Sequence, residues 1–593
     1  MISRLRGGLA LLSILALAPI AASSQTTASP TPLAASGPSA TSQDAAFGAI
    51  AYRYWYGLFA LEPTFATSTG LHAYDARLDS ASGGHYRELL ARDRQFLVDL
   101  GRLDPSALTP DDRLDRTLLQ NALHDELLID GRLQLWRHNA DGYVGTASGS
   151  IYSLIERPFA PATVRLRAVV ARENQIPRLL AEAEANLTAV DATTAQIADV
   201  DARGAVDFFT HDVPQAMRAA GSARDRAAFA RSTETASGAM RGYAAWLEAG
   251  PMRHPRGTYA IGPAAYRARL VYEEGIDLPL PSYLAIGERA FADTRAQMLA
   301  TAHRIDPRAT VPQLIARLSM KHPTAEGVLP AAAADLVRLR KFVIDHRIVT
   351  LPPNADIRVT ATPPFERAFV EAQEDSPGPL ERVATRAYYN VTPPDPHDST
   401  AVRSGVLESL NDYERPIISA HEVYPGHYTN FAIDKKLPLS LTRRLATATS
   451  FVEGWAHYSE QMMVEQGWGG GDPRVKLLQL DEAILRNARF IVGVKLHTQG
   501  MTVREASDFF QHEAFQNAAT ARAESRRGTQ DATYGYYTLG KLEILKLRSD
   551  YRKKMGAAFT LQRFHDELLS RGDAPIPLLR PFILGAEDDG NVL

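Results

Sequence analysis

The chain has 593 residues, 45% of them apolar and 22% charged, so it can bury a large core and is not globally disordered. Its formal net charge of −3 lacks the basic excess of a nucleic-acid-binding protein, so we expect no nucleic-acid partner. It contains no cysteine, which excludes disulfides, thiolate metal sites and cysteine nucleophiles.

Residues 1–24 have the pattern of a secretory signal peptide. Arg4 and Arg6 form a positive n-region, an apolar segment runs from Leu9 to Ile20, and small residues follow. The apolar segment is too short for a stable membrane span, and without a cysteine no lipid can be attached at the cleavage site. We therefore expect a secreted or periplasmic protein with no stable membrane span after cleavage.

Residues 25–42 are rich in Ser, Thr, Ala and Pro and predict a flexible leader. From Asp44 onward, apolar residues recur at three- and four-residue spacing, which predicts α-helices. The pattern is clear in residues 45–63, 112–136, 172–190, 223–249, 281–302 and 330–346. No internal repeat or long linker divides residues 43–593, so we predict one helical domain there.

Two short segments, residues 347–365 and 382–391, have a β-like composition. Prolines in and beside these segments favour edge strands or loops over a central position in a sheet. Helical patterning then resumes and continues to the C-terminus. The sequence thus predicts a mainly α protein with a small β element before the histidine-rich segment.

That segment, HEVYPGH, runs from His421 to His427. Residues six apart on an ideal helix differ by about 120°, so these two histidines cannot face one metal ion from a regular helix. Pro425 cannot donate to the carbonyl of His421, and Gly426 tolerates unusual backbone angles. We therefore predict a kink or bulge that brings the two histidines together as metal ligands.

A catalytic zinc ion is usually held by three protein ligands, so a third ligand is expected. The downstream segment FVEGWAHYSEQM, residues 451–462, places Glu453, His457 and Glu460 on one helical face. We choose Glu453 as the third ligand. Either Glu460 or His457 is expected to hold a ligand imidazole in place.

Glu422 directly follows the first histidine and can accept the proton of an attacking water as the general base. A protein that only binds peptides has no need of this base, so its presence favours catalysis. A second pair, His512-Glu513, has no further histidine at useful spacing and is interpreted as ordinary helix surface.

Both motifs resemble those of a large bacterial family of exported proteins, long described as a domain of unknown function. Its signature is H-E-x-x-P-G-H followed by E-G-W-A-x-Y-x-E, matched here by residues 421–427 and 453–460. The resemblance extends to EPTFATSTGLHAYDARLD and AYYNVTPPDP, and so covers nearly all of residues 43–593. The family is distantly similar to the helical glutamate-zinc peptidases, such as angiotensin-converting enzyme and thermostable carboxypeptidase.

This resemblance implies a large helical body with two lobes and a deep cleft, suited to short unstructured peptides. It implies Zn²⁺ as the cofactor, held by His421, His427 and Glu453, with Glu422 as the base.

A tyrosine late in the chain often stabilises the oxyanion in such peptidases. The family's Tyr-x-x-Gly motif and its following I-x-x-L-R run are matched by residues 537–540 and 544–548. The resemblance therefore implies Tyr537 as a catalytic residue, with two other candidates nearby, Tyr534 and Tyr536. Arg548 is expected to bind a peptide carboxylate, and a structural ion pair is the alternative.

The expected function is that of an exported zinc-dependent peptidase acting on short peptides. One alternative is a zinc amidase that acts on cell-wall peptides with the same residues. Another is a non-catalytic helical peptide-binding protein, which the intact Glu422 disfavours. The ligand types favour zinc over other divalent metals.

Overall fold

The computed structural model describes residues 42–353, 357–362 and 371–593. The signal peptide predicted for residues 1–24 and the leader predicted for residues 25–42 lie outside the described residues, Ser42 excepted. The described part is mainly helical with a small sheet, which confirms the predicted fold class. Within it, no helix combines the length and the apolar character needed to cross a membrane.

The N-terminal part consists of helices joined by short loops. Its helices are α1 (Ser42–Leu61), α2 (Pro63–Ser68), α3 (Gly83–Gly101), α4 (Pro110–Glu126), α5 (Asp141–Ile155), α6 (Ala162–Glu173), α7 (Ile176–Asn186), α8 (Ala192–Asp207), α9 (Val213–Met217) and α10 (Ala223–Ala249). The predicted segments 45–63 and 223–249 correspond to α1 and α10. One π-helical segment, Leu127–Leu133, follows α4, and another, Phe208–Asp212, follows α8.

Four further helices lead to the sheet, and the remaining helices follow it. They are α11 (Pro263–Glu274), α12 (Leu280–Ile305), α13 (Val311–Ser319), α14 (Val328–Asp345), α15 (Thr400–Ser409), α16 (Arg415–Glu422), α17 (His427–Asp434), α18 (Leu441–Leu445), α19 (Thr449–Glu465), α20 (Pro473–Thr498), α21 (Val503–His512), α22 (Ala518–Gln530), α23 (Tyr536–Met555), α24 (Leu561–Leu569) and α25 (Ile576–Leu584).

Polar side chains fix where several helices begin. Ser222 accepts a hydrogen bond from the backbone N–H of Asp225 at 3.2 Å, and the Asp225 carboxylate accepts one from the N–H of Ser222 at 2.9 Å. The same reciprocal arrangement joins Thr502 and Glu505 at the start of α21. Such capping boxes satisfy backbone donors that a helix leaves unpaired at its N-terminus.

The sheet has three strands, β1 (Ile357–Ala361), β2 (Ala372–Asp375) and β3 (Ala387–Val391), in the order β1-β3-β2. β1 pairs with β3 in parallel, and β2 pairs with β3 in the antiparallel sense. β3 is therefore central, and the expectation of an edge strand or loop at residues 382–391 is wrong. Its neighbouring prolines follow the strand, at Pro393 and Pro394, and do not interrupt its hydrogen bonding.

Buried apolar side chains form three clusters. One comes from α5–α10 and adjoining loops, and a second from α11–α13 and α20–α23. The third joins α1–α4 to the sheet and to the helices of both sequence motifs, with Trp55 of α1 and Trp455 of α19 among its members. The motif helices thus rest on a core built from both ends of the chain.

A cavity of about 690 Å³ lies between α5 and α17. Its walls include Phe65 of α2, Tyr152 of α5, Tyr428 and Phe431 of α17, and Val452 of α19. The cavity adjoins α17, which begins at His427, and the two lobes with a deep cleft stay a prediction.

Candidate metal centre

The helix that carries the first histidine stops before the second. α16 ends at Glu422 and α17 begins at His427, so the predicted kink is a full break at residues 423–426. The N–H of Gly426 donates to the carbonyl of Ala420 at 2.9 Å, and the indole N–H of Trp455 donates to the carbonyl of Pro425 at 2.9 Å. The second motif therefore holds the break of the first in place.

Gly426 is needed because the chain folds back on itself at this point. A Cβ at this position would lie 1.6 Å from the carbonyl oxygen of His421 and 2.6 Å from that of Ala420. Both obstacles are backbone atoms, which cannot swing aside as a side chain can.

Gly426→Ala is therefore expected to lower the free energy of unfolding by about 3 kcal/mol, because a backbone shift must relieve the overlap. Urea unfolding curves measure the change. Gly405→Ala is the matched control, since Gly405 lies inside α15 with no atom within 4 Å of an added Cβ. That substitution should leave stability equal or slightly higher, because alanine favours a helix. Equal stability of the two variants would contradict the close approach at Gly426.

The break brings three predicted ligands together. The Nε2 atoms of His421 and His427 lie 3.6 and 3.5 Å from Oε2 of Glu453. The two imidazole rings are nearly perpendicular, at 87°, with centroids 4.8 Å apart. One donor atom from each residue lies within 4.8 Å of the other two.

Two of the three donor spacings fit one tetrahedral ion. Ligand bonds of about 2.0–2.2 Å at tetrahedral angles place the donor atoms about 3.3–3.6 Å apart. The two histidine–glutamate distances of 3.6 and 3.5 Å fall in that range. Two imidazole nitrogens and a carboxylate oxygen also leave a fourth position, as catalytic zinc sites require.

Opposite charges face each other across this centre. Burial by itself lowers the pKa of His421, but hydrogen bonds to the carboxylates of Glu453 and Glu460 outweigh it and raise the pKa to about 10. Burial alone raises the pKa of Glu453, and the two histidines hold it well below its usual range. A divalent cation can take the place of the protons that these groups share.

Glu460 contacts the imidazole of the first predicted ligand. Its Oε1 lies 2.7 Å from Nδ1 of His421, and its Oε2 lies 3.2 Å from Nδ1 of His457. Arg486 of α20 contacts the same carboxylate at 3.3 Å. Of the two alternatives in the sequence, Glu460 holds the ligand imidazole and His457 braces Glu460. Such a contact leaves Nε2 of His421 directed at the centre.

Glu422 lies beside the predicted ligands and accepts a hydrogen bond from the sheet. Its Oε1 is 4.0 Å from Nε2 of His421, and its Oε2 accepts a hydrogen bond from the backbone N–H of Glu374 at 2.8 Å. Glu374 belongs to β2, a strand that the sequence did not reveal. Glu374 and Glu422 are 48 positions apart in the chain, so no local spacing indicates their contact. The one indication in the sequence is that β-like segments flank the region of Glu374.

Two motif glycines allow α23 to approach the centre. A Cβ on Gly540 would lie 1.7 Å from the carbonyl oxygen of Ser450, and one on Gly454 would lie 2.5 Å from the Cα of Gly540. The two helices therefore cross backbone against backbone. This contact places the ring of Tyr537 over that of His421, with centroids 6.5 Å apart.

The neighbouring tyrosines are held elsewhere. The hydroxyl of Tyr534 is fully buried and lies 3.5 Å from the carbonyl of Glu524, while the hydroxyl of Tyr536 donates to Asp531 at 2.8 Å. Of the three candidates, Tyr537 is the one whose ring the structure stacks on a predicted ligand.

Arginines from two helices surround the ring of Tyr537. The guanidinium carbons of Arg486, Arg489 and Arg527 lie 5.5, 5.0 and 5.8 Å from its centroid. Sequence reasoning missed this cluster. The sequence signal is weak, since Arg486 and Arg489 are three residues apart on α20 and Arg527 lies on α22.

Arg548 is engaged away from these ligands. Its guanidinium donates to the hydroxyl of Tyr458 at 3.1 Å and to Glu465 at 3.0 Å. This is the structural ion pair that stood as the alternative, and a role for Arg548 in substrate binding stays a prediction.

The fold and the site define a mainly helical protein in which two buried histidines and a half-buried glutamate lie beside a carboxylate and a tyrosine. The chain belongs to a family of bacterial proteins of unknown function, DUF885, whose profile matches residues 63–583. This confirms the family resemblance deduced from the two motifs.

Two solved structures are similar to nearly the whole chain. A "putative lipoprotein of unknown function" from Shewanella oneidensis is 27% identical, with a TM-score of 0.77 over 91% of this chain and 99% of that one. A "putative lipoprotein" from Colwellia psychrerythraea is 17% identical and shows the same fold, with a TM-score of 0.79 over 92% of this chain and 99% of that one. A comparison with curated proteins gives no significant match.

Proposed function

We propose that this protein is an exported zinc-dependent peptidase that hydrolyses short peptides. The observation that supports this best is the convergence of His421, His427 and Glu453 on one point, with Glu422 beside them. The two histidine–glutamate distances, 3.6 and 3.5 Å, match the spacing of ligands around one tetrahedral ion.

His421, His427 and Glu453 would hold the zinc ion, with Glu460 fixing the orientation of His421. Bound zinc supplies a Lewis acid that polarises a carbonyl oxygen and lowers the pKa of water. Two imidazoles and one carboxylate give this donor set the nitrogen and oxygen character that zinc accepts readily.

Glu422 would take the proton of the attacking water and pass it to the leaving amine. The N–H of Glu374 fixes one carboxylate oxygen, so the other oxygen, on the side of His421, is free to accept the proton. Tyr537 would donate its hydroxyl hydrogen to the oxyanion that develops on the substrate carbonyl. Its ring lies against His421, on the same centre as the base.

The cavity beside α17 would receive part of the peptide. Phe431 lines this cavity and also stacks on His427 at 7°, with ring centroids 5.8 Å apart. Val452, another wall residue, directly precedes Glu453. A cavity of about 690 Å³ is large enough for a few residues of an extended peptide and too small for a folded domain.

Export is part of this proposal. It rests on the signal-peptide pattern of residues 1–24, and the description of the Shewanella relative as a "putative lipoprotein" agrees with a location outside the cytoplasm.

The test is hydrolysis of a mixed library of short peptides by zinc-loaded protein, read by mass spectrometry, with bacterial muropeptides assayed in parallel. We expect cleavage of the peptides, loss of cleavage with a chelator, and recovery on adding zinc. Cleavage of muropeptides alone would replace this proposal with the amidase. Retention of peptides without any cleavage would replace it with a binding protein.

A further inference from the structure

The three arginines around Tyr537 differ in how their charge is neutralised. Arg489 makes a bidentate pair with Glu524, at 2.7 Å for both hydrogen bonds. Arg486 contacts both Glu460 and Glu482. Both of these guanidinium groups are therefore engaged by carboxylates and are largely buried.

Arg527 is different. Its side chain is 37% exposed, and its nearest carboxylate in the described part of the chain, Asp531, is at 4.0 Å. Its close partners are the hydroxyl oxygens of Tyr536 and Tyr537, at 3.1 and 3.3 Å from one guanidinium nitrogen. Phenols are uncharged, so this guanidinium keeps both positive charge and donors for a further anion.

We propose that Arg527 binds the free C-terminal carboxylate of the peptide substrate, so that the enzyme cleaves near the C-terminus of short peptides. This inference rests on the proposed peptidase function and adds the class of substrate and the end from which it is cut. A planar guanidinium matches a carboxylate in shape and charge.

The distances agree with a site close to the scissile bond. Arg527 lies 5.8 Å from the ring of Tyr537, which in turn lies 6.5 Å from the ring of His421. An extended peptide advances about 3.3–3.6 Å per residue. A carboxylate bound at Arg527 therefore belongs to the first or second residue after the bond that is cut.

The cavity and Arg527 would then bind different parts of the peptide. Phe431 lines the cavity and stacks on His427, whereas Arg527 contacts Tyr537, whose ring stacks on that of His421. The N-terminal part of the peptide would occupy the cavity, and its C-terminus would reach the arginine.

The experiment compares N-acetylated hexapeptide libraries made as free acids and as C-terminal amides. We expect the wild-type protein to prefer the free acids and to release products of one or two C-terminal residues. Arg527→Gln should lower kcat/KM for the free acids about 10- to 100-fold more than for the amides, mainly through KM. Arg526→Gln is the matched control, because Arg526 is an exposed arginine on the same helix.

An equal loss for acids and amides would overturn the inference, since it would show that Arg527 only positions the tyrosines. Cleavage far from the C-terminus would overturn it as well.

A second measurement does not require turnover. Retention of the two libraries by zinc-loaded Glu422→Gln protein, with and without Arg527→Gln, is read by mass spectrometry. Preferential retention of free acids that depends on Arg527 supports the carboxylate site even if no peptide is hydrolysed, in which case the peptidase proposal alone fails. Equal retention of acids and amides, or retention of neither, overturns the carboxylate site.

Discussion

Glu422→Gln is expected to lower peptide turnover by about 10²- to 10⁴-fold while leaving the zinc content unchanged. Glutamine keeps the size of the side chain but cannot accept a proton at neutral pH. The three ligands do not include Glu422, and its contact with the N–H of Glu374 can be kept by the amide oxygen. Initial rates on the best library peptide and elemental analysis of the same sample measure both effects.

Glu513→Gln is the matched control for this substitution. Glu513 also follows a histidine, but the pair lies exposed at the end of α21. Its replacement should leave turnover unchanged. Near-normal activity of Glu422→Gln would exclude Glu422 as the base, and loss of zinc in that variant would show that the carboxylate belongs to the metal site.

The sequence identified the parts of the site that are local in the chain. Helix geometry showed that His421 and His427 could meet only across a distortion, and Pro425 and Gly426 supplied one. The structure has a complete break there, held by Trp455 of the second motif. Sequence reasoning also separated the exposed His512-Glu513 pair from His421-Glu422, because the His512-Glu513 pair lacks a second histidine nearby.

The parts that the sequence did not reveal depend on packing between distant segments. Glu374 reaches Glu422 because β2 forms the edge of a sheet whose central strand, β3, comes later in the chain. Edge pairing in such short strands is set by tertiary contacts more than by composition. The arginine cluster likewise needs α20, α22 and α23 to converge, and no local spacing encodes that convergence.

The glycines of the two late motifs show how sequence and packing are linked. Gly454 of the E-G-W-A segment and Gly540 of the Tyr-x-x-Gly segment look like unfavourable residues inside helices, where each costs about 1 kcal/mol relative to alanine. The structure explains both, because α19 and α23 cross at these positions with no room for a Cβ. The close crossing also places the ring of Tyr537 over that of His421 of α16, with centroids 6.5 Å apart.

His427→Ala is expected to reduce bound zinc from about one ion per chain to below about a tenth of that, because two ligands cannot hold zinc against competing buffer. His427 begins α17, so its contribution to the site depends on the break that precedes it. Elemental analysis of purified, dialysed protein measures the metal, and circular dichroism verifies that the variant remains helical.

His512→Ala is the matched control and should retain the full zinc content, because His512 is exposed on α21, outside the donor set. A full zinc content in a folded His427→Ala protein would place the ion elsewhere. If the folded wild-type protein holds no zinc and takes up none when zinc is added, the break between α16 and α17 has a structural role only. In that case the contacts of Glu453 with the two imidazoles would be a structural ion pair. The absence of zinc binding would also contradict the proposed peptidase function.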